Sequence, residues 1–208
     1  MIYHNYVEKI TVQALTAAVN QPPGAVYHSE PEILAEIYQH SVNMACWQRD
    51  LSTNVSEFAT FLVNSSPDFQ LRSGVRVDAC AQWLERSLPS HAAKSEFIED
   101  VSLLTDMFAC LFQLNEVGVR LAVLHCAMCP KFHVDYVPCR LLCTYAGVGT
   151  HWRRAEQGDD EGYQQLSQGD VALLKGENWE GNENFGLIHR SPQATPATGR
   201  VVLSLDFA

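Results

Sequence analysis

The feature that most restricts the fold of this chain is a change of pattern near residue 117. Before it, apolar residues recur at helical spacing; after it, the chain breaks into short apolar segments divided by turns. The later segments are 118–125, 131–136, 139–146, 170–175, 186–190 and 199–207. Gly147-Val148-Gly149, Gly169-Asp170 and the polar stretches 176–184 and 191–199 separate them. Short strands at this spacing predict a small barrel or jelly roll. The earlier half predicts helices over 30–46, 54–64, 77–87 and 93–114, with Asn54 a candidate cap for the second. In the last of these, Phe97, Val101, Leu104, Phe108 and Leu111 recur at steps of four and three. The expected class is α+β: a helical support region over 1–116, packed on a C-terminal double-stranded β-helix of jelly-roll or cupin-like form over 117–208, as one compact unit.

The last strand tells which face is which. Val201, Leu203, Leu205 and Phe207 form an apolar face that needs a cover, which the helices can supply. Arg200, Val202, Ser204 and Asp206 form the other face. That face would line the barrel interior, where an arginine needs an anionic partner, and a bound carboxylate would be one.

The chain of 208 residues has a formal net charge of −10, which disfavours nucleic acid and anionic lipid as partners. No apolar stretch is long enough for a membrane span, and the first nineteen residues lack a basic leader with an apolar run. The expected setting is cytoplasmic, and the seven cysteines are expected to be reduced thiols. Cys126-Ala127-Met128-Cys129 is half of a structural zinc site, but the other half is hard to supply. Cys139 and Cys143 would lie about 13 Å apart on a regular strand. A nucleophilic pair of Cys129 and His125 lacks a third orienting group. No P-loop, dinucleotide glycine fingerprint or nucleophile elbow is present.

The chemistry-bearing motif is His133-Val134-Asp135. Residues two apart on a strand point to one side, so the pair can grip one ion. His189, on a later strand, is the natural third ligand. Two histidines and one carboxylate leave positions open, as in non-haem Fe(II) oxygenases, although zinc is also compatible with these ligands. Around this triad, Arg140 and Thr144 share a face of the following strand and Tyr145 takes the other. Arg140 and Tyr145 are candidates for holding a ligand. Gly147, Gly149, Thr150 and Trp152 could rim a pocket, and Trp179 could belong to a lid.

His-X-Asp, a distal histidine and then an arginine together resemble the Fe(II)/2-oxoglutarate-dependent oxygenase pattern. The resemblance implies Fe(II) held by His133, Asp135 and His189, 2-oxoglutarate held by Arg200, and a dioxygenase acting on a small-molecule or other substrate. A serine often follows that arginine by two positions; here Val202 stands there. A longer run, CPKFHVDYVPCRLLCTYAGVGTHW over 129–152, with GDVALLKG and HRSP downstream, resembles the bacterial family known as domain of unknown function 1826. That family implies no activity. Two other readings of the same residues are a non-catalytic zinc- or iron-handling protein and a cupin-like isomerase or hydrolase. Substrate and oligomeric state are not legible.

Overall fold

The computed structural model describes residues 24–158, 161–182, 186–194 and 198–208. The segment read above for a leader lies outside the described residues. Among the described residues, ten strands form two sheets. They are β1 (Gly24–His28), β2 (Val42–Trp47), β3 (Gln70–Arg76), β4 (Glu116–Leu124), β5 (Cys139–Ala146), β6 (His151–Arg154), β7 (Gln164–Gln165), β8 (Val171–Lys175), β9 (Leu187–Arg190) and β10 (Arg200–Phe207). The large sheet has the order β1-β2-β8-β5-β10-β4-β3, and the small one β7-β6-β9. A bridge between His133 and His189 extends the small sheet beyond β9. From β4 onward the chain winds between the sheets: β4 large, the His133 segment small, β5 large, β6 and β7 small, β8 large, β9 small, β10 large.

Among the described residues, three α-helices accompany the sheets: α1 (Thr53–Ser65), α2 (Cys80–Ser87) and α3 (Lys94–Phe112). The α1 cap is Ser52, whose Oγ accepts from the Val55 amide, rather than Asn54. Gln113, at φ 55°, ends α3 in the left-handed region. The apolar sides of α1 and α3 pack on the large sheet. Phe58, Leu62, Phe97, Val101 and Phe108 share one buried cluster with Leu141, Cys143, Tyr145, Leu173, Leu203 and Leu205. On the opposite face of the same strands, Met44, Cys46, Leu142, Ala172 and Leu174 meet Trp152, Leu166 and Leu187 from the small-sheet side. The alternation in β10 thus divides as its pattern requires: Val201, Leu203 and Leu205 are in the helix-side core, and Arg200, Val202, Ser204 and Asp206 line a pocket on the other face.

The region before residue 117 is not purely helical, which corrects the expectation of a helical support region. It contributes β1, β2 and β3 to the large sheet. The helix expected over 30–46 is a 3-10 helix over Pro31–Tyr38 followed by β2. The reason is burial on both faces. Ala45 packs on the helix side and Met44 and Cys46 on the other, so the strand lacks polar alternation and reads like a helix segment. Strand β3 escapes notice for the opposite reason: it is a mostly exposed, polar edge strand.

Candidate metal centre and its pocket

Backbone pairing places the two histidines side by side. The His133 amide donates to the His189 carbonyl at 3.0 Å, and the His189 amide donates back at 2.9 Å. Such a mutually bonded pair points both side chains to the same face. Asp135, two residues on, joins them. One ligand atom from each of His133, Asp135 and His189 lies within 4.8 Å of the others. His133 Nε2 is 3.6 Å from Asp135 Oδ1, and His189 Nε2 is 3.2 Å from Asp135 Oδ2.

Protonation suits a cation site. His133 Nδ1 lies 2.9 Å from the Lys131 carbonyl, which can only accept, so the proton sits on Nδ1. In the neutral ring, the Nε2 lone pair then faces Asp135, an orientation typical of metal-binding histidine. The Asp135 carboxylate beside it raises the His133 pKa, against burial. Burial pushes the Asp135 carboxyl up, but the two imidazoles and the Arg140 guanidinium outweigh it and hold it well below the usual range. Asp135 is therefore ionised at neutral pH. Its Oδ2 is buried and faces His189 Nε2 at 3.2 Å without a well-formed hydrogen bond, so the two atoms can share a cation.

The backbone after Asp135 is fixed from behind. The Glu177 amide donates to the Asp135 carbonyl and the Gly176 amide to the Pro138 carbonyl, both at 2.9 Å. A Cβ at Gly176 would overlap the carbonyl oxygens of Val137 and Asp135, so only glycine allows this approach.

Arg140, on β5, faces the same pocket. Its Nη1 donates to Asp135 Oδ1 at 2.6 Å and its Nη2 to Asp206 Oδ2 at 2.7 Å. It holds one oxygen of Asp135 and leaves the other toward the histidines. Arg200 opens β10 and is 1% exposed. Its Nε donates to the Val148 carbonyl and its Nη1 to Ser191 Oγ at 2.8 Å. Nη2 is buried with no partner among the described residues. Burial pushes this guanidinium down to about 10, and no carboxylate among the described residues forms an ion pair with it. Gly147, at φ 80°, clears the space for the start of β10: a Cβ there would press on the Arg200 backbone. His133, Asp135, His189, Arg140 and Arg200 all line one cavity of about 600 Å³.

Tyr145 does not reach it, which corrects its reading as a ligand-holding residue. An odd step from Arg140 turns it to the helix side, where it is fully buried. Its hydroxyl donates to Asp100 at 2.6 Å, and Asp100 is clamped by both terminal nitrogens of Arg49. Trp152 is buried in the inter-sheet core on β6 rather than in a turn, while Thr150 does line the cavity. Trp179 packs on Tyr38 and Phe112 under the Lys175 ammonium and does not line the cavity. Cys139 and Cys143 are buried strand residues; Cys126 and Cys129 are exposed. Among the described residues no cysteine joins a metal-ligating group. Sequence reasoning missed Ser191, Arg72 and Arg120 as cavity residues. Ser191 follows β9 closely enough to be suspected; the two arginines lie on β4 and on the unrecognised β3.

With this geometry established, comparison with known proteins places the chain. A family model matches residues 28–206. The chain belongs to the DUF1826 family, a protein family of unknown function. No curated protein matches by sequence. Solved structures with a similar chain path include a dioxygenase for auxin oxidation from rice: 12% identity, TM-score 0.49, covering 89% of this chain and 82% of that one. The Arabidopsis thaliana counterpart, in complex with 2-oxoglutarate, shows 14% identity and TM-score 0.47, covering 89% and 92%. A Pseudomonas putida prolyl-4-hydroxylase shows 11% identity and TM-score 0.46, covering 84% and 96%. At such identities these likenesses assign no side-chain role in the DUF1826 chain. Among the described residues no helix is long and apolar enough to cross a membrane.

Proposed function

We propose that this DUF1826 protein is an Fe(II)/2-oxoglutarate-type dioxygenase built on a double-stranded β-helix, the winding that alternates its strands between two sheets from β4 to β10. His133, Asp135 and His189 would hold the ion, and the lone pair on His133 Nε2 and the Asp135 Oδ2 facing His189 fit that role. A bound iron would supply the redox chemistry by which O₂ is reduced as 2-oxoglutarate is oxidatively decarboxylated and a substrate C–H bond is oxidised. The chain's own residues do the rest. Arg140 orients Asp135 and secures its ionised state; Arg200, oriented by Ser191 and the Val148 carbonyl, receives the far carboxylate of the co-substrate.

The single observation that carries the reading is Arg200. A buried guanidinium with an unpartnered nitrogen, in the same cavity as a two-histidine, one-carboxylate cluster, calls for a small anion that can also reach the ion. The test is anaerobic titration of Fe(II) and 2-oxoglutarate. A metal-to-ligand charge-transfer band that needs all three ligands, with co-substrate affinity lowered by Arg200→Ala, is expected. Stoichiometric zinc that resists chelation, with no iron-dependent turnover of 2-oxoglutarate, would instead establish the metal-handling reading.

A further inference from the structure

The cavity does not end at Arg200. On β3 and β4, Arg72 stands directly across from Arg120, and Ser204 of β10 is next in the same row. All three residues line the cavity. Like charges facing each other across a strand pair are unfavourable. Neither guanidinium makes a hydrogen bond or ion pair among the described residues, and Arg120 Nε is buried without a partner. The nearby acids do not serve them. Asp206 and Asp135 are taken by Arg140. Glu116 lies over Gly74, at the neighbouring position along the strands, and forms no ion pair with either. Four of the chain's 14 basic side chains line this one cavity, although the protein's net charge is −10. They face three side-chain carboxylates there, Glu116, Asp135 and Asp206, and a divalent ion would add further positive charge.

We propose that Arg72 and Arg120 form a second oxyanion subsite, and that the substrate of this protein bears a carboxylate or phosphate group held there. The proposal rests on the dioxygenase reading for the assignment of the other end of the cavity. It also sets a length. Arg140, beside Asp135, is on β5; Arg120 is two strands away and Arg72 three, which at the usual strand spacing is about 10 to 14 Å. The acidic group of the substrate would therefore lie about 10 to 14 Å from the Arg140 end of the cavity. Ser204, between the two ends, can hydrogen-bond an oxygen of the same group. With the anion bound, the repulsion between the two arginines becomes shared attraction.

The probes are inorganic phosphate and acetate, titrated at constant ionic strength into zinc-loaded protein saturated with 2-oxoglutarate. The arginine Nε–H resonances are followed by NMR. Saturable shifts of the Arg120 resonance are expected. Arg120→Gln or the exposed Arg72→Gln should weaken binding about tenfold, the scale of one charge-assisted hydrogen bond, with Arg120→Lys retaining most of it. Tighter phosphate binding assigns a phosphorylated substrate; equal or tighter acetate binding assigns a carboxylate. No saturable shift at Arg120, or binding indifferent to both glutamine variants, overturns the proposal. If 2-oxoglutarate leaves the Arg200 resonance unmoved, the dioxygenase reading fails, and the Arg120 shifts still decide the subsite.

Discussion

Replacing Arg200 by leucine should separate an arginine kept for a ligand from one kept for the fold. The side chain is almost wholly buried, and burial alone pushes its guanidinium down to about 10. Each pKa unit corresponds to about 1.4 kcal/mol and the ordinary arginine value is at least about 12.5, so carrying this charge costs the folded state about 3 kcal/mol. Hydrogen bonds from a charged donor return about 1.5–3 kcal/mol each. Arg200 has two, to Ser191 and to the Val148 carbonyl. Together they return about 3–6 kcal/mol against that cost, so Arg200→Leu should lower the ligand-free stability by no more than about 3 kcal/mol. Breaking a compensated buried ion pair would cost about 3–5 kcal/mol. The ligand response should change far more. At a hundredfold excess over its dissociation constant, a ligand of the folded state adds about 2.7 kcal/mol. Urea unfolding of zinc-loaded protein, with and without 2-oxoglutarate, reads both quantities. The wild type should gain that stabilisation and Arg200→Leu should lose it. A ligand-free loss above about 3 kcal/mol, or an undiminished response to 2-oxoglutarate, would refute the reasoning.

Three further perturbations test other parts of the structure. Gly176→Ala forces a methyl group into the Val137 and Asp135 carbonyl oxygens, so it should lower metal affinity at least about tenfold, within the range seen for lost support of metal ligands; competition with a chromophoric chelator measures it. Asp100→Ala strips the anion from Arg49 and the acceptor from Tyr145 and should destabilise by about 3–5 kcal/mol, whereas Tyr145→Phe should cost about 1.5–3 kcal/mol; both should leave metal affinity unchanged in the same assay. Burial pushes the Lys175 ammonium down to about 8. Between there and its unfolded value near 10.4 the unfolded chain holds a proton that the folded one lacks, so this group's contribution to stability rises with pH across that window. Lys175→Met should remove that rise, and its stability relative to the wild type should fall by up to about 3 kcal/mol from pH 7 to pH 10 in parallel urea titrations; a pH-independent difference would contradict it.

How much of this was legible in the sequence depends on how many faces of each element are buried. In β10 the two sides differ in chemistry, so strict alternation announces both the strand and the pocket face. In β2 both sides are apolar, one against helices and one against the small sheet, so period two disappears and a helix is read instead. Strand β6 was hidden differently: His151-Trp152-Arg153-Arg154 carries polar residues on buried positions, next to glycines that suggest a turn. The grouping of the candidate metal ligands was legible because His133 and Asp135 are local and His189 stands on a recognisable strand. The arginine pair was not, because it exists only through the register of β3 on β4, and β3 has no hydrophobic signature of its own.

That last point bears on how the two ends of the cavity differ. At the metal end, each charged group has an opposite charge in place except Arg200: Arg140 is shared by two carboxylates, and Asp135 by an arginine and two imidazoles. At the far end, Arg72 and Arg120 are register partners, and neither forms an ion pair among the described residues. A fold selected for stability alone would place an apolar or oppositely charged pair at that register, since either is better by up to about 1 kcal/mol. Arg200 makes the same choice at the other end of the cavity. Three unneutralised guanidinium groups, at two separated places on one concave surface, are what a site would need to take two anions in one turnover: one short, shared with the ion, and one borne by the substrate.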